Sequence, residues 1–320
     1  MSQPPSQPNS TGSPLIVLVG PTAVGKTEVA IELCEALNGE IVSADSRLFY
    51  RGMDIGTAKP SLEERQRIVH YLVDVADPDE TWSLAIFQEE ARKAIETIYS
   101  RGKLPFLVGG TGQYIRAVTQ GWETPRVEPD PRLRLVLENW AKEIGGQGLY
   151  DRLKVLDPAA ALTIDPRNLR RTVRGLEVIL TTGRLFSDQR LKGSSIYNQV
   201  TLGLSRPRTE LYARIDTRIE RMLQDGWVDE VRGFLEKGYS ADLPSLSAIG
   251  YKEIVAHLQG HLSLEEAVVE IKRATRVYVR RQANWFKPTD PGIYWFEAGE
   301  GTVEQMVSFI KNWLEADQER

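Results

Sequence analysis

The tightest constraint on this chain is an eight-residue run, Gly20-Pro-Thr-Ala-Val-Gly-Lys-Thr27, set directly after the apolar segment Leu15-Ile-Val-Leu-Val19. It fits the pattern G-x-x-x-x-G-K-[ST], which a chain of average composition would match by chance with odds on the order of one in a hundred. The context is the one the motif needs, a buried strand before it and a helix opening after it. Glycines let backbone N–H groups turn inward around an anion, and the helix N-terminus adds partial positive charge. Lys26 contributes a mobile cation, and the Thr27 hydroxyl can ligate Mg²⁺. Gly20, Pro21, Thr22, Ala23, Val24, Gly25, Lys26 and Thr27 are therefore candidate binding residues for a di- or triphosphate. The bland reading, a glycine-rich turn, leaves that context unexplained.

Such a loop belongs to a parallel α/β sheet, and the sequence continues in that style. Helical patterning over Glu28–Leu37 stops at Asn38-Gly39, and Glu40-Ile-Val-Ser-Ala-Asp45 reads as the next strand. A helix over Leu84–Tyr99 leads to the apolar strand Leu104–Val108 and then Gly109-Gly110-Thr111. Alternating strands and helices argue for right-handed crossovers. From about Trp122 the pattern becomes helical or turn-like, as in Pro131–Glu143 and Leu169–Leu180, broken at Gly145-Gly146-Gln147-Gly148 and Lys192-Gly-Ser-Ser195. Strand character returns at Gln199–Leu204, followed by helices over Thr209–Gln224, Val228–Lys237 and Leu264–Phe286. Gly292–Phe296 reads as a last strand and Val303–Leu314 as a last helix. The expected architecture is a P-loop-type parallel sheet core, residues 15–121 and 199–320, with a helical C-terminal region. A helical domain, residues 122–198, is inserted into it, and residues 1–14 form a disordered leader of Ser, Pro, Gln and Asn.

Bulk properties narrow the function classes. With 320 residues, 41% hydrophobic and 26% charged, the chain suits a globular protein of two domains. No apolar run approaches the roughly 20 residues of a membrane helix, and the N-terminus lacks the pattern of a secretory signal. A single cysteine, Cys34, excludes an internal disulfide framework and suits the reducing cytoplasm. The net charge of −4 does not announce a nucleic-acid binder, so any such contact must come from local patches. A monomer is the default expectation.

An enzyme that hydrolyses nucleotides normally ends an apolar strand with an Asp for Mg²⁺. Leu104–Val108 ends instead in Gly109-Gly110-Thr111, and the acid that ends a core strand is Asp45. Ligands of parallel sheets gather at the carboxyl ends of the strands, so the P-loop, Asp45 and Thr111 should share one pocket. A carboxylate beside a phosphate loop meets like-charge repulsion unless a metal or substrate donor compensates it. That makes Asp45 a candidate base; the alternative is a cap for the following turn.

Several segments closely resemble the tRNA dimethylallyltransferases. They are Gly20–Thr27, Ser43-Ala-Asp-Ser46, Tyr50-Arg-Gly-Met-Asp-Ile-Gly-Thr-Ala-Lys-Pro60 and Leu107-Val-Gly-Gly-Thr-Gly112. The likeness continues through His70, Arg174-Gly-Leu-Glu177, Ile249-Gly-Tyr251 and Arg280-Arg-Gln-Ala-Asn-Trp-Phe-Lys287. The resemblance implies that the loop holds the diphosphate of dimethylallyl diphosphate with Mg²⁺ near Thr27, and that no nucleotide is hydrolysed. It implies that Asp45 accepts a hydrogen from an adenine exocyclic amine as that nitrogen attacks the prenyl C1. Lys26 and the loop amides would stabilise the departing diphosphate, with Thr111 near the reacting centre. Arg214 and Arg218 match a family arginine pair; the ordinary alternative is a solvated helix face pairing with Glu210 or Asp216. The resemblance also implies RNA contacts at Asp45, Ser46, Arg47 and Leu48, at Gly250, Tyr251 and Lys252, and at Gln282. One departure stands out: the position after Asp45-Ser46 is often small or Gln in the family, and here it is Arg47.

Two basic clusters oppose the acidic average. Arg167, Arg170, Arg171 and Arg174 lie in the insert, and Lys272, Arg273, Arg276, Arg280, Arg281 and Lys287 lie near the penultimate helix. Tyr278, Trp285 and Phe286 interleave the second cluster. Basic residues position a phosphate backbone and aromatics stack on unpaired bases, although charge runs more often mark solvated helix faces. By resemblance the partner is the anticodon stem-loop of tRNA, and the modified base is the adenosine 3′ of the anticodon in tRNAs reading codons that begin with U. Rival readings are an adenylate isopentenyltransferase acting on free AMP or ATP, a P-loop kinase, and a non-catalytic RNA-binding module.

Overall fold

The computed structural model describes residues 12–122, 128–189 and 195–318. They fall into two compact units, Gln120–Ser194 and the remainder of the chain. The larger unit begins with strand β1 (Ser13–Val19), helix α1 (Lys26–Leu37) and strand β2 (Gly39–Ser43). Helix α2 (Leu62–Arg67), strand β3 (His70–Tyr71), helix α3 (Leu84–Ser100), strand β4 (Leu104–Gly109) and helix α4 (Gly112–Thr119) follow. The smaller unit holds α5 (Pro131–Leu156), α6 (Pro158–Ala161) and α7 (Leu169–Thr182). The chain then returns to the larger unit as β5 (Tyr197–Ser205), α8 (Arg208–Gln224), α9 (Trp227–Glu236), α10 (Tyr251–Leu258) and α11 (Leu264–Trp285). It ends in β6 (Ile293–Glu297) and α12 (Thr302–Gln318). No helix among the described residues is long and apolar enough to cross a membrane.

The strands form one parallel sheet in the order β3-β2-β4-β1-β5-β6. The continuous apolar runs follow from burial on both faces. In β1, Ile16 and Leu18 enter one core, whereas Leu15, Val17 and Val19 enter the other. Phe106 and Leu107 of β4 divide in the same way. β1 lies between β4 and β5, where the strand order reverses. The turns leaving the carboxyl ends of β1, β2, β4 and β5 therefore gather at one edge of the sheet.

Several expected boundaries shift. Ser13 and Pro14, assigned to the leader, are the first residues of β1 because they pair with Tyr197 and Asn198 of β5. The same pairing returns Tyr197 and Asn198 to the sheet rather than to the insert. The rest of the expected leader up to residue 11, and residues 192–194 of the expected loop at 192–195, lie outside the described residues. The Gly145–Gly148 break narrows to Gly145 alone, whose φ of 79° and ψ of 155° interrupt α5 before it resumes. Asp45 sits two residues past β2, not at its end.

The segment after β2 is locked by buried charges. The Glu230 carboxylate accepts hydrogen bonds from the backbone N–H of Asp54 (2.8 Å), Ile55 (2.7 Å) and Gly56 (3.2 Å), and from Tyr251 Oη (2.6 Å). The Lys59 ammonium, 2% exposed, donates to Tyr50 O at 2.9 Å and pairs with Asp54 and Asp74. Gly250 and Tyr251, expected at an RNA surface, are buried, and Tyr251 is 0% exposed. Tyr251 reaches this segment through Glu230, Gly250 N donates to Glu253 at 2.7 Å, and Lys252 next to them is exposed.

In the smaller unit, Leu137, Leu149, Leu153, Ile164, Val173 and Leu176 form the core. Glu177, 0% exposed, accepts two hydrogen bonds of 2.9 Å from Arg134, one of 2.7 Å from Arg174 and one of 2.8 Å from Asp130 N. Burial opposes its ionisation, but the two guanidiniums outweigh burial and hold the carboxyl below its ordinary range. Arg174, expected to face RNA, is thus engaged internally, and Arg167 pairs with Asp165 at 2.8 Å. Arg170 and Arg171 remain exposed. Glu177→Ala leaves both guanidiniums without their carboxylate and should destabilise the smaller unit by ~3 kcal/mol, read from calorimetric or urea unfolding. A loss below about 1 kcal/mol would show that the triad is not structural.

Candidate active site

The P-loop spans the turn between β1 and α1. Gly25, at φ 108°, ends it in a conformation that L side chains rarely adopt, and Ala23 is also left-handed at φ 66°. What fixes these angles is a set of side chains drawing the loop carbonyls outward. Lys26 Nζ donates to Gly20 O (3.0 Å) and Pro21 O (2.9 Å). Arg214 Nε donates to Ala23 O and Arg206 Nε to Val24 O, both at 2.9 Å. Of the amides that follow these carbonyls, Thr22 N donates to Gln282 and Val24 N to Pro21 O at 3.4 Å, while Pro21 has no N–H to offer.

Gln282 of α11 is the keystone of the arrangement. It was expected to contact RNA, but it is buried (4% exposed) and bridges two loops of the site. Its Oε1 accepts from Thr22 N at 2.9 Å, and its Nε2 donates to Gly110 O at 3.1 Å. Trp285, also expected at the RNA surface, is half-buried against Gly112, where a Cβ would come within 2.3 Å of the ring. Arg116 stacks over that ring at 5.2 Å and donates to Trp285 O. Phe286 is buried. The aromatics of this helix therefore face inward.

Asp45 lies in the turn after β2. Its Oδ1 accepts from Arg47 N at 3.0 Å, so it does cap the turn, while its second oxygen has no hydrogen bond to the described residues. The carboxylate lies within the electrostatic reach of Lys26 and Arg218. Burial lowers the Lys26 ammonium to about 8; Asp45 opposes that shift and Arg218 adds to it. Burial also lowers the Arg218 guanidinium, with Asp45 opposing and Arg214 reinforcing. Of the two α8 arginines, Arg218 shares this field with Asp45, and Arg214 is exposed and tethers the loop. Thr111, after β4, has a buried Oγ1 with no well-formed hydrogen bond. Thr27 is exposed at the first turn of α1.

Around these residues, Ser46 and Leu48 are half-buried in the turn, and Arg47 donates to Pro244 O (3.1 Å) and Ser245 O (3.3 Å). Half of the basic run on α11 is neutralised: Lys272 pairs with Glu220 at 2.7 Å and Arg276 with Asp216 at 2.6 Å, bridging to α8. Arg273 faces Glu270 at 3.4 Å. Arg280, Arg281 and Lys287 are exposed and make no ion pair with the described residues. Sequence reading missed the tethering role of Gln282 and the residues Arg206 and Glu230. Arg206 carried one signal, its place directly after the strand Tyr197–Ser205.

The arrangement sets two cations, Lys26 and Arg218, in the field of one carboxylate beside the glycine-spaced loop. Comparisons with known proteins agree on the family. The family model "IPP transferase" matches residues 48–289. The chain is 49% identical over 304 residues to the tRNA dimethylallyltransferase of Roseiflexus sp. (strain RS-1), covering 95% of this chain and 99% of that protein. It is similar to the solved tRNA isopentenylpyrophosphate transferase of Bacillus halodurans, with TM-score 0.72, 40% identity and coverage of 96% and 98%. It is also similar to a eukaryotic dimethylallyltransferase solved acting on tRNA, with TM-score 0.79, 27% identity and coverage of 96% and 80%. The folded core, the cradle and these likenesses coincide: the chain belongs to the IPP transferase family.

Proposed function

We propose that this chain transfers a dimethylallyl group from dimethylallyl diphosphate to N6 of a tRNA adenosine and releases diphosphate. The observation that carries the reading is one carboxylate, Asp45, lying in the field of two cations, Lys26 and Arg218, beside the glycine-spaced loop to which Lys26 belongs. The adenine N6 lone pair attacks C1 of the prenyl group as the C1–O bond breaks. The electron pair of that bond leaves on the diphosphate, and an N6 proton passes to Asp45. Lys26, Arg218 and the loop amides stabilise the charge growing on the departing oxygens. Thr111 offers its buried hydroxyl beside them.

Among the described residues no three His, Cys, Asp or Glu side chains form a metal cage. Mg²⁺ keeps waters and substrate phosphates as ligands and needs only one or two protein groups. Thr27, with its exposed hydroxyl, would hold it, and the ion would supply charge neutralisation on the diphosphate.

The acceptor is the adenosine 3′ of the anticodon in tRNAs reading codons that begin with U. A base stacked in the anticodon loop must leave the stack to reach Asp45. Arg280, Arg281 and Lys287 are cations placed for the RNA backbone, and Arg170 and Arg171 extend that role to the helical unit.

The deciding assay offers labelled dimethylallyl diphosphate and Mg²⁺ to unmodified tRNA, AMP and ATP in parallel. Label in tRNA alone is expected; label in AMP or ATP would assign free-nucleotide transfer, and phosphoryl transfer from ATP without label would assign a kinase. Asp45→Ala should cut turnover roughly 10²–10⁴-fold while tRNA affinity stays close to that of the parent; near-normal turnover would remove Asp45 from the base role. Arg280→Glu with Arg281→Glu should weaken tRNA binding and reduce the steepness of its salt dependence by about one to two counterions. An unchanged salt slope would place the RNA elsewhere. A Lys26 ammonium lowered to about 8 is charged below that pH and neutral above it. Diphosphate affinity should therefore fall as pH rises through about 8, and a flat binding curve across that window would contradict the assignment.

A further inference from the structure

The hydroxyl of Tyr278 has no part in the chemistry above, yet it stands inside the site. Tyr278 lies one helical turn before Gln282 on α11, so both side chains leave the same face of the helix. Gln282 fixes that face against the P-loop and Gly110, and Trp285 fixes the next turn against Gly112. Tyr278 is half-buried on that face, and its hydroxyl lies within the electrostatic reach of Asp45, Thr111, Gln282 and Arg47. Thr111 brings to the same place a buried Oγ1 without a well-formed hydrogen bond. A buried hydroxyl in that state costs free energy until a partner is found.

We propose that Tyr278 is a positioning residue for the transfer reaction, its phenol aligning the Thr111 hydroxyl between the cradle and the Asp45 carboxylate. Burial first, and the Asp45 charge second, raise the phenol above its ordinary range, so at neutral pH it keeps its proton and remains a donor. Acting on Thr111, the phenol would tie the geometry of the reacting groups to the helix whose Gln282 also clamps the P-loop. The inference rests on the dimethylallyl transfer proposed above.

Tyr278→Phe removes the hydroxyl and keeps the ring. In single-turnover transfer to tRNA it should slow the chemical step roughly tenfold, the effect of one hydrogen bond. KM for dimethylallyl diphosphate, tRNA affinity and the melting temperature should stay at parent values. Tyr278→Leu, which also removes the ring, should lower the melting temperature as well. In a Thr111→Ala background, Tyr278→Phe should cost nothing further, because the phenol acts through Thr111. A full rate for Tyr278→Phe, a loss confined to KM, or the same tenfold loss in both backgrounds would each overturn the proposal. The parent chain is the control: transfer by it with any of those outcomes sinks the Tyr278 role alone, whereas no transfer by it sinks the transfer reading and this inference together.

Discussion

The glycine-spaced loop after β1 must satisfy its own carbonyls, and here cationic side chains do so. Gly20, Pro21, Ala23 and Val24 each present a carbonyl to a cationic side chain, from Lys26, Arg206 or Arg214. Lys26, one of the cations proposed to attract a diphosphate, also helps shape the loop. Preorganisation of this kind means the groups need not reorganise as charge develops. The left-handed Ala23 is sustained by that surrounding lattice, since a non-glycine residue at φ 66° would otherwise relax.

The lattice depends on α11, a helix far from the loop in sequence. Gln282 reaches Thr22 across 260 residues and Gly110 across 172. Its amide suits both tasks, because one end accepts and the other donates. A glutamate would lose the donor to Gly110, and a lysine would lose the acceptor for Thr22. The Gln-Ala-Asn-Trp run thus combines a buried clamp with an aromatic packed on Gly112, while Arg280 and Arg281 just before it face solvent. One short segment serves the interior and the surface at once.

The parts of this protein legible in the sequence are those with local causes. The apolar run Leu15–Val19, the glycine-spaced loop and the Asn38 stop all act over a few residues. The structure places a strand, a P-loop and a left-handed helix cap there. What sequence could not show depends on distant partners. Gln282 and Tyr251 look like polar or amphipathic surface residues until Thr22 and Glu230 are known to lie opposite them, and the distant partner of Glu177 is Arg134. Glu230 gave no hint of its four hydrogen bonds, since the amides it accepts from belong to a loop some 175 residues earlier. The strand β3 escaped notice because two residues carry no periodicity, and its pairing with β2 is what defines it. For the site, the P-loop, Asp45 and Thr111 were placed by strand ends, whereas the division of labour between Arg214 and Arg218 required coordinates.

The brevity of β3 has a consequence for how this protein can associate with other chains. An open parallel sheet exposes a row of unpaired N–H and C=O groups at each border, a template onto which a foreign strand can be added. One border here consists of His70 and Tyr71 alone, too short to register an incoming segment. At the other border β6 offers five residues, and it ends at Glu297 beneath a return helix whose Phe309 ring packs against Tyr294 and Phe296. Strand addition is thereby disfavoured on one side and hemmed in on the other, which leaves helices and loops as the surfaces through which the molecule meets its partners.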